Sequence, residues 1–134
     1  QNPSPDRPPV LLITADTLRA DACGLYGGPV PTPALETIAG ANAAVFERAY
    51  VLGPWTLPSM FGLFASRIPP GLTPHADGKA WKEEITLYRM PKDVRTLAEI
   101  LHQRGYATGA FVANSLLRDP KGILRGFDTR IVTG

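Results

Sequence analysis

Val94-Arg95-Thr96-Leu97-Ala98-Glu99-Ile100-Leu101, then Gly105, then Tyr106-Ala107-Thr108-Gly109-Ala110-Phe111-Val112, is the stretch that decides the fold class. Thr96 with Glu99 three residues on forms a capping-box pattern, in which hydroxyl and carboxylate each accept a backbone N–H that the helix start leaves unbonded. Val94, Leu97, Ala98 and Leu101 recur at helical spacing, and Gly105 supplies the stop. Tyr106 to Val112 has the composition of a strand. A helix that runs straight into a strand is a unit of α/β architecture.

Upstream the same alternation continues. Val10-Leu11-Leu12-Ile13 is short and apolar, as in a parallel strand buried on both faces, and it breaks at Thr14-Ala15-Asp16-Thr17. Thr32-Pro33 offers an N-cap and a proline at the first helical position, and Leu35, Ile38 and Ala39 give one apolar face to a helix over about 33–41. Val45 to Val51 has the β-forming content of a second strand. Pro58, with Met60, Phe61, Leu63 and Phe64 behind it, starts a short helix over about 58–66. From Arg67 to Pro91 the turn signals Pro69-Pro70-Gly71, Pro74 and Asp77-Gly78 describe a surface insert. The predicted order is strand, helix, strand, helix, long loop, helix, strand: an α/β fold with part of a mostly parallel sheet flanked by helices. So small a parallel sheet leaves edges and apolar faces uncovered, and the simplest cover is the remainder of the same polypeptide.

The 134 residues suit one domain or part of one. Residues 1–9 read as a Pro-rich leader and 10–134 as the folded segment. Fourteen Pro and thirteen Gly call for long loops, while 44% apolar residues supply a core. The net charge of +2 is too small to steer nucleic acid, although the second half is the basic one: residues 67–134 carry eleven basic and seven acidic groups, residues 1–66 three and five. Cys23 is the single cysteine, so no disulfide closes within the chain. Apolar runs such as Val10 to Ile13 fall far short of the ~20 residues of a transmembrane helix, and the leader lacks the regions of a secretion signal. No phosphate-binding glycine pattern follows a predicted strand, which disfavours a nucleotide-binding domain.

Two places invite chemistry. Ligands of open α/β sheets gather at the carboxyl ends of strands, where Asp16 stands after the first predicted strand. Asp16 or Asp21 there either holds a cation or caps the following turn. Arg19 either holds an anion bidentately or forms a surface ion pair. In Trp55-Thr56-Leu57-Pro58-Ser59, Pro58 biases Leu57 out of the helical region, leaving Thr56 just outside a helix start, where the positive dipole end favours an oxyanion. A hydroxyl there is either a nucleophile, given activation, or a simple cap.

The runs Val10 to Asp21, Leu25-Tyr26-Gly27, Thr32-Pro33-Ala34-Leu35, Phe46, Ala49-Tyr50 and Trp55-Thr56-Leu57-Pro58-Ser59 resemble, in order and spacing, the amino-terminal part of sulfatases, members of the alkaline-phosphatase-like hydrolases. Val94 to Leu101, Gly105-Tyr106-Ala107-Thr108, Phe111-Val112-Ala113-Asn114 and Arg125-Gly126-Phe127-Asp128 extend the likeness across almost everything after the leader. The resemblance implies an incomplete alkaline-phosphatase-like fold, a sulfate or phosphate ester as substrate, a divalent cation (calcium, magnesium, manganese or zinc) and an extracytoplasmic location.

It implies Asp16 as a metal ligand and Thr56 as both nucleophile and metal ligand, with Arg19 and Asn114 contacting the substrate anion. Thr17 stands where a second Asp is common, and Met60 where the sulfatase motif has Arg. Thr56 stands where sulfatases carry the Cys or Ser that becomes formylglycine; threonine cannot be converted, and in this it is similar to phosphoester-cleaving relatives whose threonine attacks directly. Ala113 and Ser115 fall in the stretch that holds a sulfate-contacting Lys and His in sulfatases. Of the two histidines, His102 suits an exposed or satisfied role on its helix, and His75 faintly resembles a family loop. The family's remaining metal ligands lie downstream of this sequence. The expected function is the amino-terminal part of a metal-dependent ester hydrolase, and the alternative is a non-catalytic relative or an inactive fragment with a structural or binding role.

Overall fold

The computed structural model describes residues 7–41, 43–68, 89–118 and 121–133. The chain forms two compact units, Gln1–Leu11 with Val51–Gly134, and Leu12–Tyr50. The helices are α1 (Pro33–Gly40), α2 (Thr56–Ala65) and α3 (Leu97–Gln103), and the strands β1 (Gly109–Val112) and β2 (Thr129–Val132). Single 3₁₀ turns occupy Ala20–Ala22, Gly24–Tyr26 and Ser115–Leu117.

In the larger unit β1 and β2 pair in parallel, Gly109 opposite Thr129 through Val112 opposite Val132. Parallel neighbours need a crossover connection. Residues 113–128 supply it, and Leu117, Ile123 and Leu124 from this connection are buried with Leu57 and Phe61 of α2, Met90, Val94 and Ala110. Phe64 of α2 meets Phe127 edge to face, ring centroids 6.0 Å apart. The sequence did not signal β2, which is four residues long and exposed along most of its length.

The capping box at α3 is present in both directions: Glu99 N–H donates to Thr96 Oγ at 3.1 Å, and Thr96 N–H to Glu99 Oε2 at 2.8 Å. Arg125 completes it from far along the chain. Its Nε donates to Glu99 Oε1 at 2.6 Å, its guanidinium also reaches the carbonyls of Pro91 and Val94, and its own carbonyl accepts from Thr96 Oγ at 2.6 Å. Gly126 follows with φ +93°, and a Cβ there would lie 2.4 Å from the Glu99 nitrogen, so only glycine fits. Asp128 then accepts from the Thr108 N–H at 2.8 Å and pairs with His102 at 3.0 Å. The Arg125-to-Asp128 run therefore fastens the start of α3, its end, and the approach to β1.

Burial pushes the Glu99 carboxyl up, but the Arg125 guanidinium and the Thr96 donors outweigh it and hold the group below its usual range. A folded pKa below the unfolded one gives stability that is complete above the ordinary Glu range and is lost as pH falls through the folded value. Urea midpoints should therefore drop more steeply with acidification in the unsubstituted protein than in Glu99→Gln; parallel curves would refute the linkage.

In the smaller unit, the 3₁₀ turns and the Cys23–Val30 bridge are held by Gly24 N–H to Val30 O at 2.6 Å and Val30 N–H to Ala22 O at 3.0 Å. Thr32 and Pro33 take the predicted N-cap and first helical positions of α1. The Thr32 hydroxyl does not cap the helix, however: it accepts the Leu25 N–H at 2.9 Å and donates to Glu36 Oε1 at 3.2 Å. The apolar face of α1 is open, with Ile38 62% exposed.

Two predicted strands are corrected. Val10–Ile13 and Val45–Val51 carry no strand pairing. A strand exists by its ladder to a neighbour, and side chains such as Leu11, 83% exposed, and Tyr50, 89% exposed, have neither ladder nor covering layer. The predicted order survives as α/β with a small parallel sheet, built from the last predicted strand, shortened to Gly109–Val112, and β2. The helix predicted over 58–66 begins two residues earlier, at Thr56. Most of the predicted insert over 67–91, including His75, lies outside the described residues.

Candidate active site

Thr56 is the first residue of α2, not the residue before it. Trp55 ahead of it is extended, with φ −155° and ψ 168°. Pro58 is accommodated at the third helical position, where a missing N–H costs nothing because the first amides have no intrahelical acceptor. Leu57, Pro58 and Phe61 are buried, which fixes the rotation of α2 about its axis and thereby the side from which Thr56 projects. The N-cap residue Trp55 provides no side-chain cap, and Ser59 Oγ turns back to the carbonyls of Gly53 and Trp55, each at 3.0 Å. Met60 is half-buried against the core.

Asn114 lies in the same unit, as the N-cap of the 3₁₀ turn Ser115–Leu117 that touches α2. Its Oδ1 accepts the Leu116 N–H at 2.9 Å, a local cap that aims the side chain.

Asp16 and Arg19 belong to the smaller unit. Asp16 opens a tight turn in which Thr17 takes φ +61°. That left-handed conformation is rare for a β-branched residue and stores strain beside the carboxylate. Arg19 and Asp21 form a two-pronged pair, Nε to Oδ1 at 2.9 Å and Nη2 to Oδ2 at 2.5 Å. The pair is exposed; the hydrogen bonds to Asp21 raise the Arg19 pKa further, and those from Arg19 lower the Asp21 carboxyl. Arg19 thus already grips a planar oxyanion in the geometry that suits sulfate or phosphate. Cys23, buried, donates its Sγ–H to the Arg19 carbonyl at 3.4 Å.

The structure therefore brings Thr56 and Asn114 onto touching elements of one unit, and Asp16 and Arg19 onto one turn region of the other. Among the described residues no three His, Cys, Asp or Glu side chains converge on one point, so the described residues alone do not fit a complete metal site. His102 has its partner in Asp128 and belongs to the scaffold.

A sulfatase family profile matches residues 8–133. The chain belongs to the sulfatase family. It is 37% identical over 105 residues to arylsulfatase A of Bos taurus and 37% identical over 112 residues to arylsulfatase A of Homo sapiens, covering 76% and 77% of this chain and 20% of each relative. It is 29% identical over 124 residues to N-acetylgalactosamine-6-O-sulfatase of Bacteroides thetaiotaomicron, covering 87% of this chain and 22% of that protein. The chain thus spans about a fifth of the length of the curated sulfatases it matches. No solved structure gives a significant match. Among the described residues no helix is long and apolar enough to cross a membrane.

Within this sulfatase-family segment, composition and spacing did not disclose the role of Arg125-Gly126-Phe127-Asp128. The run was visible only as part of the resemblance, because its partners Glu99, Thr96 and Thr108 lie about two dozen residues away in sequence.

Proposed function

We propose that this chain supplies the nucleophile-bearing part of a sulfuric or phosphoric ester hydrolase of the sulfatase family. The observation that supports the reading is Thr56 at the first position of α2, on a helix whose rotation is set by buried Leu57, Pro58 and Phe61, and the motif resemblance of Trp55 to Ser59 supplies the nucleophile role. Thr56 Oγ attacks the sulfur or phosphorus in line, its proton passes to a base, and the bond to the ester oxygen breaks as the alcohol leaves with a proton. The amides at the start of α2 face the negative charge that develops on the non-bridging oxygens. A formylglycine hydrate can expel sulfate by reverting to the aldehyde, whereas a threonine ester must be released by a second displacement, with water attacking the sulfur or phosphorus. This requirement favours phosphorus, at which displacement by water is the ordinary route. Asn114 contributes a neutral polar contact, and Arg19, released from Asp21, pairs with the anionic group.

Asp16 is proposed as one carboxylate ligand of a divalent cation whose other ligands come from further regions of the full-length polypeptide. Asp16→Asn in that polypeptide should lower bound metal by at least about tenfold in affinity, read by elemental analysis after dialysis against metal buffers. Unchanged metal content would remove Asp16 from the ligand set. The reading as a non-catalytic relative draws on Met60, half-buried where the motif has Arg. It would be favoured by a full-length protein that binds metal yet turns over no aryl sulfate, phosphomonoester or phosphodiester.

A further inference from the structure

We infer that Ser59 and Gly62 are positioning residues for the Thr56 hydroxyl, an inference that rests on the nucleophile reading above. Thr56 directly follows a segment with no regular structure, so how residues 52–55 are held bears on its position.

The structure holds them from α2 itself. Ser59 sits at the fourth helical position, and its single O–H is shared between the carbonyls of Trp55 and Gly53, both at 3.0 Å. A helical serine commonly bonds the carbonyl four residues back. The additional reach to Gly53, six residues back and outside the helix, converts that local bond into a clasp on the incoming chain. One turn further on, Gly62 leaves bare backbone beneath Leu52: a Cβ at Gly62 would lie 2.3 Å from Leu52 Cδ1 and 2.9 Å from Cγ. Leu52 is thereby seated on Gly62, while Gly53 and Trp55 are tied to Ser59. Residues 52–55 are pinned to the same helix that Leu57, Pro58 and Phe61 anchor in the core. The hydroxyl one residue further along is held against a rigid frame, although neither Ser59 nor Gly62 needs to touch substrate.

Placement errors of about 1 Å at a reacting group cost roughly 100-fold in rate. Loosening the clasp should therefore lower kcat and leave ground-state binding alone. In the full-length polypeptide, with p-nitrophenyl phosphate, p-nitrophenyl sulfate and bis(p-nitrophenyl) phosphate as probes, Ser59→Ala should reduce kcat by about 10- to 100-fold. KM should stay within about twofold, and Ser59→Thr, which restores the hydroxyl, should recover most of the rate. Gly62→Ala, which displaces Leu52, should shift kcat in the same direction. A readout independent of turnover is amide exchange: exchange at Met60 and Phe61, the first amides of α2 to bond back into its opening turn, should accelerate by about tenfold in Ser59→Ala, with the amides of α3 unchanged. Unchanged kcat in Ser59→Ala while Thr56→Ala is inactive, or unchanged exchange at Met60 and Phe61, would overturn the positioning role. Full activity in Thr56→Ala would instead overturn the nucleophile reading and leave the exchange result to judge the clasp by itself.

Discussion

Thr56→Ala in the full-length polypeptide should abolish turnover, with a loss of about 1,000-fold or more in kcat, because no other group can form the covalent ester if this hydroxyl is the nucleophile. The fold should survive. Alanine is the best helix former, and Leu57, Pro58 and Phe61 keep α2 anchored in the core. Loss of activity with unchanged melting temperature and far-ultraviolet circular dichroism is therefore the expected combination. Thr56→Ser offers a graded control: it keeps the oxygen, removes a methyl and should retain measurable activity. Full activity in Thr56→Ala would mean that a water attacks directly, and that Thr56 is only the first residue of a helix.

Arg125→Ala should produce the largest loss of stability. The guanidinium is 28% exposed and its partner carboxylate on Glu99 24%, so solvent covers little of the pair. Removing the arginine leaves Glu99 without its cation, takes the guanidinium donor from the Val94 carbonyl, and leaves the Pro91 carbonyl with the Val94 N–H at 3.2 Å. Breaking one side of such a partly buried pair costs about 3 kcal/mol. Arg125→Lys should recover only part of the loss, because an ammonium group cannot reach a carboxylate and two carbonyls in the geometry of a planar fork. Arg125→Met in a Glu99→Gln background should lose less than the two single changes combined, since neither partner is then left charged and alone. Chemical denaturation of the four proteins at neutral pH measures this coupling. A loss below about 1 kcal/mol in Arg125→Ala would show that the clasp on α3 is redundant.

The contrast between α3 and the missing strands shows what a sequence of this kind can disclose. Thr96, Glu99 and Gly105 specify α3 through contacts within a few residues, and both halves of the capping box form as the pattern dictates. Gly105 takes φ +81°, the left-handed backbone expected of a helix stop. Val10–Ile13 and Val45–Val51 carry the right residues for strands, but composition specifies only a willingness to pair. Pairing itself needs a neighbour and a covering layer, and Leu11 and Phe46, 83% and 71% exposed, have neither. The four residues of β2 were illegible for the opposite reason: they are a strand because Gly109–Val112 lies beside them, and little in Thr129-Arg130-Ile131-Val132 announces it.

The same division runs through the candidate site. Helix α2 was legible to within two residues from Pro58 and the apolar face behind it, and Thr56 was marked by its place in the motif. The turn of the Ser59 hydroxyl toward Gly53, and the engagement of Arg19 with Asp21, depend on side-chain directions that spacing does not determine. Asp16 was marked by position after an apolar run, and the strained Thr17 next to it is a feature of the turn that residue type would have argued against.

The most direct test of the central claim is to trap the covalent ester. Full-length protein mixed with bis(p-nitrophenyl) phosphate, p-nitrophenyl phosphate or p-nitrophenyl sulfate and quenched in acid during turnover should carry one added phosphoryl or sulfuryl group on the peptide containing Thr56, and Thr56→Ala should carry none. Turnover with the group absent from that peptide, or attached to a different residue, would contradict the assignment of Thr56 as nucleophile.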